Sequence, residues 1–215
     1  MSRKEKVLHS TMLVTLVIIL SKAIGFGRDM VTTAYFGRTM ENDAYVSAYS
    51  LFYLPVLLFN SCISATLIPM YVSERSKYSL KHSNRFASNA INLFALLALI
   101  VSAVMFALAE PLVKLVYHGF PTEKIALTAE LTRIMVLALV FNVASIAVSN
   151  MLNAMEKYIA AQLTGFPLSL CVIVASVAFS GRFGIRAVAW GVFAANILQL
   201  LILIPFLKGW FRYTP

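Results

Sequence analysis

The sequence predicts an all-α polytopic membrane protein, built as a bundle of six transmembrane helices. Of its 215 residues, 60% are hydrophobic and only 13% are charged, and the mean hydropathy is +0.82. No soluble domain of this length needs so much apolar surface. Six stretches are also long enough to cross a bilayer, which takes about 20 residues each. We place these spans near residues 8–36, 44–71, 86–108, 126–151, 159–179 and 185–207.

The distribution of lysine and arginine predicts the orientation of the bundle. With the N-terminus in the cytoplasm, ten of these residues fall in cytoplasmic segments and five in outer segments, an asymmetry typical of membrane proteins. The loop that holds Arg182 and Arg186 departs locally from this rule. Both termini are therefore expected inside, with residues 1–207 as the helical lobe and residues 208–215 as a cytoplasmic tail. The net charge of +9 then reflects topology, and no nucleic-acid partner is expected.

Two segments depart from a plain apolar span. Residues 110–124 are too short to cross a bilayer, and Leu112 and Leu115 among them suggest a brief helix at the membrane interface. The second span contains Pro55 and Pro69. We expect a bend near its middle, because neighbouring groups can satisfy the carbonyls that a proline leaves free.

The first span carries one polar face on an otherwise apolar helix. At about 100° per residue, its polar and small residues share an arc of about 140°. They are Ser21, Lys22, Gly25, Arg28, Asp29, Thr32 and Thr33. Because a charge at this depth costs a few kcal/mol on insertion scales, the face is expected to line a water-filled cavity or contact a polar ligand. In the alternative, Lys22 and Asp29 neutralise each other inside the bundle, which leaves Arg28 without a partner in the helix.

Other spans also carry polar patterns. In the second span, Asp43 starts a stripe of serines, and it either caps that helix or meets Arg28. At the start of the fourth span, Glu130 and Arg133 are three residues apart, a spacing that allows an ion pair across one helical turn. Further along this span, four small polar residues share a face that we interpret as a helix-packing surface. These residues are Asn142, Ser145, Ser149 and Asn153.

Enzymatic and metal-binding motifs are not visible. The three histidines, His9, His82 and His118, have no cysteine, histidine or carboxylate at ligand spacing. Cys62 and Cys171 lie in separate apolar spans, so neither a metal site nor a disulfide is expected. The sequence shows no phosphate-binding glycine loop, nucleophile elbow or carboxylate pair. A membrane enzyme acting on a lipid head group stays open, but no residue set is proposed as catalytic and no cofactor is expected.

A series of short motifs resembles the MurJ (MviN) lipid II flippase family. Residues 21–29 (SKAIGFGRD) resemble its S-R-x-x-G-F-x-R-D helix, and the FG turn and NDAY segment that follow resemble its F-G turn and D-A-F segment. Further resemblances follow in collinear order along nearly the whole chain. They lie at ISATLIP (63–69), ELTRIM (130–135), LNA with KY (152–158), LIP (203–205) and FRYTP (211–215).

The resemblance implies a fold, a function and a site. Members of the larger superfamily of oligosaccharidyl-lipid and multidrug flippases have two six-helix lobes around a central cavity, and this chain resembles the first lobe. The implied function is a transporter, not an enzyme. It would move the undecaprenyl-pyrophosphate-linked peptidoglycan precursor to the outer leaflet of the bacterial inner membrane by alternating access. Lys22 and Arg28 would attract the pyrophosphate, with Asp29 and Asp43 as acidic residues of the cavity. Ser21, Gly25 and Thr32 would complete the cavity face.

Two departures from the family pattern bear on the substrate. Lys22 stands where the family usually has arginine, so a two-pronged contact to phosphate becomes a point charge. Residues 58–61 (LFNS) stand where many members carry arginine. A flippase for another lipid-linked oligosaccharide is therefore one alternative, and a truncated, non-transporting membrane module is another.

The partners also follow from the resemblance. They are the lipid-linked precursor, membrane lipids and a missing second lobe or another half-transporter chain, because alternating access needs two repeats that move against each other. The chain would then be a fragment, a truncated gene product or a half-transporter that must pair.

Overall fold

A computed structural model describes residues 3–77 and 80–207. The predicted cytoplasmic tail and linker at residues 208–215 lie outside these described residues. Within them every regular element is an α-helix, which confirms the all-α prediction. In chain order the helices are α1 (Arg3–Phe36), α2 (Met40–Lys77), α3 (Leu80–Ala107), α4 (Ala109–Val116), α5 (Thr122–Val136), α6 (Leu139–Ala154), α7 (Tyr158–Gln162), α8 (Gly165–Phe183) and α9 (Arg186–Leu207).

The number of spans agrees only approximately with the six predicted. Four helical stretches in the described residues are long and apolar enough to cross a membrane, and a fifth counts if the bent pair α5 and α6 is one span. The predicted first span is helical throughout, as the 34-residue α1. α1 is not one of the four or five helical stretches that are long and apolar enough to cross a membrane. It carries three charged residues, Lys22, Arg28 and Asp29, in its second half.

The predicted fourth span is broken, which the sequence did not indicate. α5 and α6 meet at a bend of 45° around Leu137 and Ala138. A break leaves carbonyls at the end of the first helix without their usual partners. The buried hydroxyl of Ser102 on α3 donates to the carbonyl of Val136 at 2.6 Å. A neighbouring helix thus stabilises the bend.

The short helix predicted between the third and fourth spans is confirmed as α4. Glu110 and Lys114 lie one turn apart on this helix, and their charged atoms are 2.7 Å apart. Lys114 holds the pKa of Glu110 below its ordinary value, mainly through the hydrogen bond that it donates and secondly through its positive charge. Both side chains are exposed, so this pair contributes little to stability.

The buried core lies where α2 packs on α3, α5 and α6, and where α9 packs on α5 and α6. Its largest fully buried side chains include Ile63, Leu67 and Tyr71 on α2 and Met135 and Met151 on the bent pair. Many large apolar side chains point outward instead, including Leu93, Leu96 and Ile100 of α3. Outward apolar surface is what a lipid environment requires, and the chain is a multi-pass membrane protein.

Small residues allow the helices to approach closely. A Cβ placed on Gly191 of α9 would lie 2.8 Å from the Cβ of Ala175 and 3.1 Å from the carbonyl oxygen of Cys171, both on α8. Because lipid is as apolar as the helix surfaces, close van der Waals contact of this kind holds membrane helices together. The contact places α9 directly on α8.

Candidate functional site

Arg28 of α1 is paired with its own neighbour in sequence. Its Nη2 lies 2.8 Å and its Nε 2.9 Å from Oδ1 of Asp29. The Arg28 side chain is only 18% exposed, whereas that of Asp29 is 65% exposed. The alternative pairing of Asp29 with Lys22, which would have left Arg28 without a partner in its helix, therefore does not form.

The rest of the Arg28 environment comes from α2. Tyr45 and Tyr49 lie close enough to the guanidinium to interact with it electrostatically. The Tyr49 ring stacks on Tyr53 with centroids 6.0 Å apart and planes 11° apart. We call these residues, Tyr45, Tyr49 and Tyr53, the tyrosine ladder. It follows one face of α2 away from Arg28.

Lys22 remains an unpaired cation on the same helix. Its side chain is exposed, and no ion pair joins it to a carboxylate within residues 12–77 and 82–207. Lys22 and Arg28 are six residues apart, which places them about 9 Å apart along the helix axis. Two positive groups and one carboxylate thus occupy this part of α1.

The smaller residues of the predicted polar face make a hydrogen bond within α1 or pack α1 against α8. Thr32 is buried and its hydroxyl donates to the carbonyl of Arg28 at 2.9 Å. A Cβ on Gly165 of α8 would overlap the hydroxyl of Ser21, and a Cβ on Gly25 would lie 3.8 Å from the hydroxyl of Ser169. We therefore assign Ser21 and Gly25 to the contact of α1 with α8, whereas the sequence placed them on the cavity face.

Two acidic residues away from α1, Asp43 and Glu130, each form an ion pair with a basic residue of another helix. Asp43 does not meet Arg28, because its Oδ2 lies 3.2 Å from Nζ of Lys124 on α5. That Nζ also sits 3.9 Å from the ring centroid of Phe120, a cation–π contact. Asp43 thus connects α2 to α5.

The second pair corrects another prediction from the sequence. Glu130 pairs with Arg186 of α9, with its Oε1 2.6 Å from Nε and its Oε2 2.9 Å from Nη2. The predicted partner Arg133 instead directs its Nε to the carbonyl of Phe106 at 3.4 Å. A helix-to-helix contact has replaced the local pairing, because α9 brings a guanidinium with two parallel donors to this carboxylate.

A polar cavity of about 440 Å³ lies between α2, α6, α7 and α9. Ten of its lining side chains are serine, threonine, asparagine or glutamine, and none of the described lining residues is charged. Four are hydroxyls, and six are amides that define what we call the amide pocket: Asn60, Asn142, Asn150, Asn153, Gln162 and Gln199. Tyr53, the last member of the tyrosine ladder, also lines it.

The sequence indicated one polar face of this pocket, on the fourth span, but did not indicate that the face lines a cavity. The polar face of the fourth span does join helices: Asn142 donates to Asn196 of α9 at 2.6 Å, and Ser149 donates to the carbonyl of Ala161 on α7 at 3.2 Å. The same face also lines the pocket, which the packing interpretation did not include. Gln162 and Gln199 complete it from distant parts of the chain, so no periodicity within one span could have identified them.

Metal binding has no support in the part of the chain that the structure describes. No group of three or more histidine, cysteine, aspartate or glutamate side chains there could hold an ion. The α1 polar face contributes two cations and one carboxylate, and the amide pocket contributes neutral groups. Anions and uncharged polar groups are the ligands that these two arrangements can bind.

Comparisons with known proteins agree with the fold. A solved structure described as lipid II flippase MurJ in an inward closed conformation matches with a TM-score of 0.78, at 23% identity over 94% of this chain and 43% of that one. A MATE transporter in complex with MaL6 also matches with a TM-score of 0.78, at 13% identity over 94% of this chain and 46% of that one. At these identities the likeness shows a shared fold.

Curated relatives give the family. The chain is 27% identical to the probable lipid II flippase MurJ of Buchnera aphidicola subsp. Acyrthosiphon pisum (strain APS), over 90% of this chain and 39% of that protein. It is 26% identical to the lipid II flippase MurJ of Thermosipho africanus (strain TCF52B), over 92% of this chain and 41% of that protein. The chain thus spans about two fifths of the length of the relatives it matches, which are named as flippases and hence as transporters. The family model described as lipid II flippase MurJ matches residues 32–211, and the chain belongs to this family.

Proposed function

We propose that this chain is one lobe of a lipid II flippase in the bacterial cytoplasmic membrane. The lobe would help to move undecaprenyl-pyrophosphate-linked peptidoglycan precursor from the inner to the outer leaflet. Family membership supports the substrate class. The observation that carries the proposal is the α1 polar face, where Lys22 has no ion pair within the described residues and Arg28 is held by Asp29.

The proposed site binds the pyrophosphate by charge. Arg28 carries five N–H donors, and two of its nitrogens are directed to Asp29, so further donors remain for phosphate oxygens. A charge-assisted hydrogen bond is worth more in a low-dielectric site than in water. Lys22 adds a second positive charge without its own counter-ion in the described residues. Asp29 would compete with the phosphate for Arg28 and so weaken binding enough to allow release.

Asp43 takes a different role in this proposal from the one that the resemblance implied. Its ion pair with Lys124 holds the start of α2 against α5, so we assign it to the structure of that end of the lobe. Tyr49 lies beside Arg28, and the Thr32 hydroxyl is used within α1 by its hydrogen bond to the carbonyl of Arg28. Of the predicted site residues, Lys22 and Arg28 are therefore the ones proposed to contact the lipid.

Transport requires a second lobe. Alternating access rocks one repeat against the other around a site between them, and this chain spans about two fifths of the relatives' length. A second lobe, on the same polypeptide or on another chain, is therefore the proposed partner. It would face the α1 polar face and the tyrosine ladder.

A flippase for a different lipid-linked oligosaccharide is the second candidate function. The observation in its favour is the neutral Asn60 in the middle of α2, where a cation would strengthen phosphate binding, together with lysine at position 22. Both candidates share the anionic lipid pyrophosphate and differ in the attached glycan.

A depletion experiment separates these candidates. Cells that are depleted of their own lipid II flippase would receive the complete gene that contains this coding sequence. We expect growth to resume and lipid II to reach the outer leaflet, and we expect the Arg28→Gln variant to restore neither. Growth arrest with lipid II held in the inner leaflet, from a gene that is expressed and inserted, would exclude lipid II as the substrate.

A further inference from the structure

The amide pocket offers hydrogen-bonding groups that the protein itself does not use. The Oδ1 of Asn142 is buried and has no hydrogen-bond partner. The side chains of Asn60, Asn153 and Gln162 also make no hydrogen bond to any residue that the structure describes. A buried polar group without a partner is unfavourable, and this applies to Asn142. Asn153 and Gln162 are half-buried and Asn60 is exposed, so at these three side chains a ligand would replace hydrogen bonds to water. A ligand that satisfies these groups would therefore bind favourably.

The chemistry of the lining selects the kind of ligand. Each amide presents both a donor and an acceptor, and the pocket's hydroxyls do the same, so the lining matches groups that donate and accept at several positions. No charged side chain lines the pocket among the described residues, and an ionic ligand would lose its hydration without gaining a counter-charge. Sugar hydroxyls and acetamido groups have the required properties. The volume of about 440 Å³ falls within the range of about 300–1,000 Å³ that small-ligand pockets occupy.

The position of the pocket connects it to the α1 polar face. Tyr49 lies within electrostatic range of Arg28, Tyr49 stacks on Tyr53, and Tyr53 lines the pocket. Tyr45 and Tyr53 are eight residues apart on α2, or about 12 Å along the axis. An anionic group at Arg28 and a neutral group in the pocket are thus at opposite ends of one short surface. A single ligand with a pyrophosphate next to a sugar would span both.

We propose that the amide pocket binds the uncharged saccharide part of the lipid-linked substrate. This inference rests on the proposed function, because it assumes that a pyrophosphate lipid binds at Arg28. The two sites then divide the recognition: Lys22 and Arg28 hold the anion, and the amide pocket distinguishes lipids that carry a sugar from those that do not.

Native mass spectrometry of the detergent-solubilised chain tests this division. The probes are undecaprenyl pyrophosphate, the same lipid carrying one N-acetylglucosamine without peptide, and complete lipid II. We expect both sugar-bearing lipids to bind about tenfold more tightly than the bare pyrophosphate, as one or two additional hydrogen bonds would give. The Asn153→Leu/Gln162→Leu variant removes only side chains without internal hydrogen bonds, and it should abolish that preference.

Two control variants assign the effect to the pocket. Asn89→Leu makes the same type of replacement at an exposed position of α3 outside the pocket, and it should keep the preference. Arg28→Gln should weaken the binding of all three lipids by a similar factor. The pattern expected is therefore a loss of selectivity from the pocket and a loss of overall affinity from α1.

The outcomes separate the inference from the proposed function. If all three lipids bind equally to the unaltered chain, and the pocket variant changes nothing, the inference is overturned while the anion site stands. If only complete lipid II is preferred, the pocket does not recognise the saccharide and the inference is overturned in favour of the peptide. If no pyrophosphate lipid binds, both the inference and the proposed function are overturned.

Discussion

Gly165 of α8 lies directly against Ser21 of α1, so that a Cβ at position 165 would overlap the Ser21 hydroxyl and lie 3.2 Å from its Cβ. This contact and the neighbouring one between Gly25 and Ser169 hold α1 on α8, the helix that it mainly contacts. α1 has little direct contact with α2. The position of Lys22 and Arg28 therefore depends on small residues of α8.

The first prediction concerns this contact. Gly165→Leu should lower the free energy of unfolding by about 1–3 kcal/mol, because the larger side chain has no space beside Ser21. Thermal unfolding in detergent measures the change. Gly181→Leu on the same helix is the matched control, since a Cβ there meets nothing within 4 Å. Equal effects at positions 165 and 181 would contradict the contact.

The second prediction concerns the charge of Arg28. Arg28→Gln should weaken binding of undecaprenyl pyrophosphate to the chain about ten- to a hundredfold, since a hydrogen bond to a charged group contributes about 1.5–3 kcal/mol. Arg28→Lys should give an intermediate loss, because lysine lacks the planar fork. Arg182→Gln, at an exposed residue near the end of α8, should bind as the unaltered chain does. An unchanged affinity in Arg28→Gln would exclude Arg28 from the site.

The third prediction concerns competition by Asp29. Asp29→Asn removes the carboxylate that holds the guanidinium of Arg28. We expect undecaprenyl pyrophosphate to bind several-fold more tightly and to dissociate more slowly, because its phosphate no longer competes with the Asp29 carboxylate for Arg28. Glu123→Gln, which removes an exposed carboxylate from the first turn of α5, serves as the control for a general change in charge. Weaker binding in Asp29→Asn alone would show that Asp29 supports the site.

The fourth prediction distinguishes the two partners considered for Glu130. A double-mutant cycle between Glu130→Gln and Arg186→Gln should give a coupling free energy of about 0.2–1 kcal/mol, the range of an exposed ion pair. The side chains of Arg186 and Glu130 are 54% and 43% exposed, so a larger value is not expected. The same cycle with Arg133→Gln should give a smaller coupling. The reverse order would favour the local pair that the sequence predicts.

The fifth prediction concerns backbone strain at the turn between α6 and α7. Glu156 has a φ of 61°, a left-handed conformation that costs a residue with a Cβ roughly 1–2 kcal/mol. Glu156→Gly should therefore raise the free energy of unfolding by up to about 1 kcal/mol, since glycine adopts this φ freely but is also more flexible in the unfolded chain. Glu156→Ala keeps the Cβ and should show no gain. Equal stability of these two variants would show that the turn is not strained.

The amino-acid sequence by itself determined the class of fold and most of the helical segments. Hydrophobic stretches of about 20 residues require membrane helices, because no other open segment can satisfy its backbone in lipid. The charges of Lys22 and Arg28 were equally visible, since an ionisable residue inside an apolar span is rare enough to indicate function. The collinear motifs indicated the family that the comparisons then showed.

Tertiary structure alone decided which polar side chains become partners or share a pocket. Glu130 meets Arg186, Asp43 meets Lys124, and Gln162 and Gln199 come together in the amide pocket. These pairs are separated by tens of residues, and helical periodicity describes only neighbours within one helix. The bend between α5 and α6 also depends on a distant hydroxyl, that of Ser102. Which helix packs against which is set by side-chain fit, and that information is not contained in any single span.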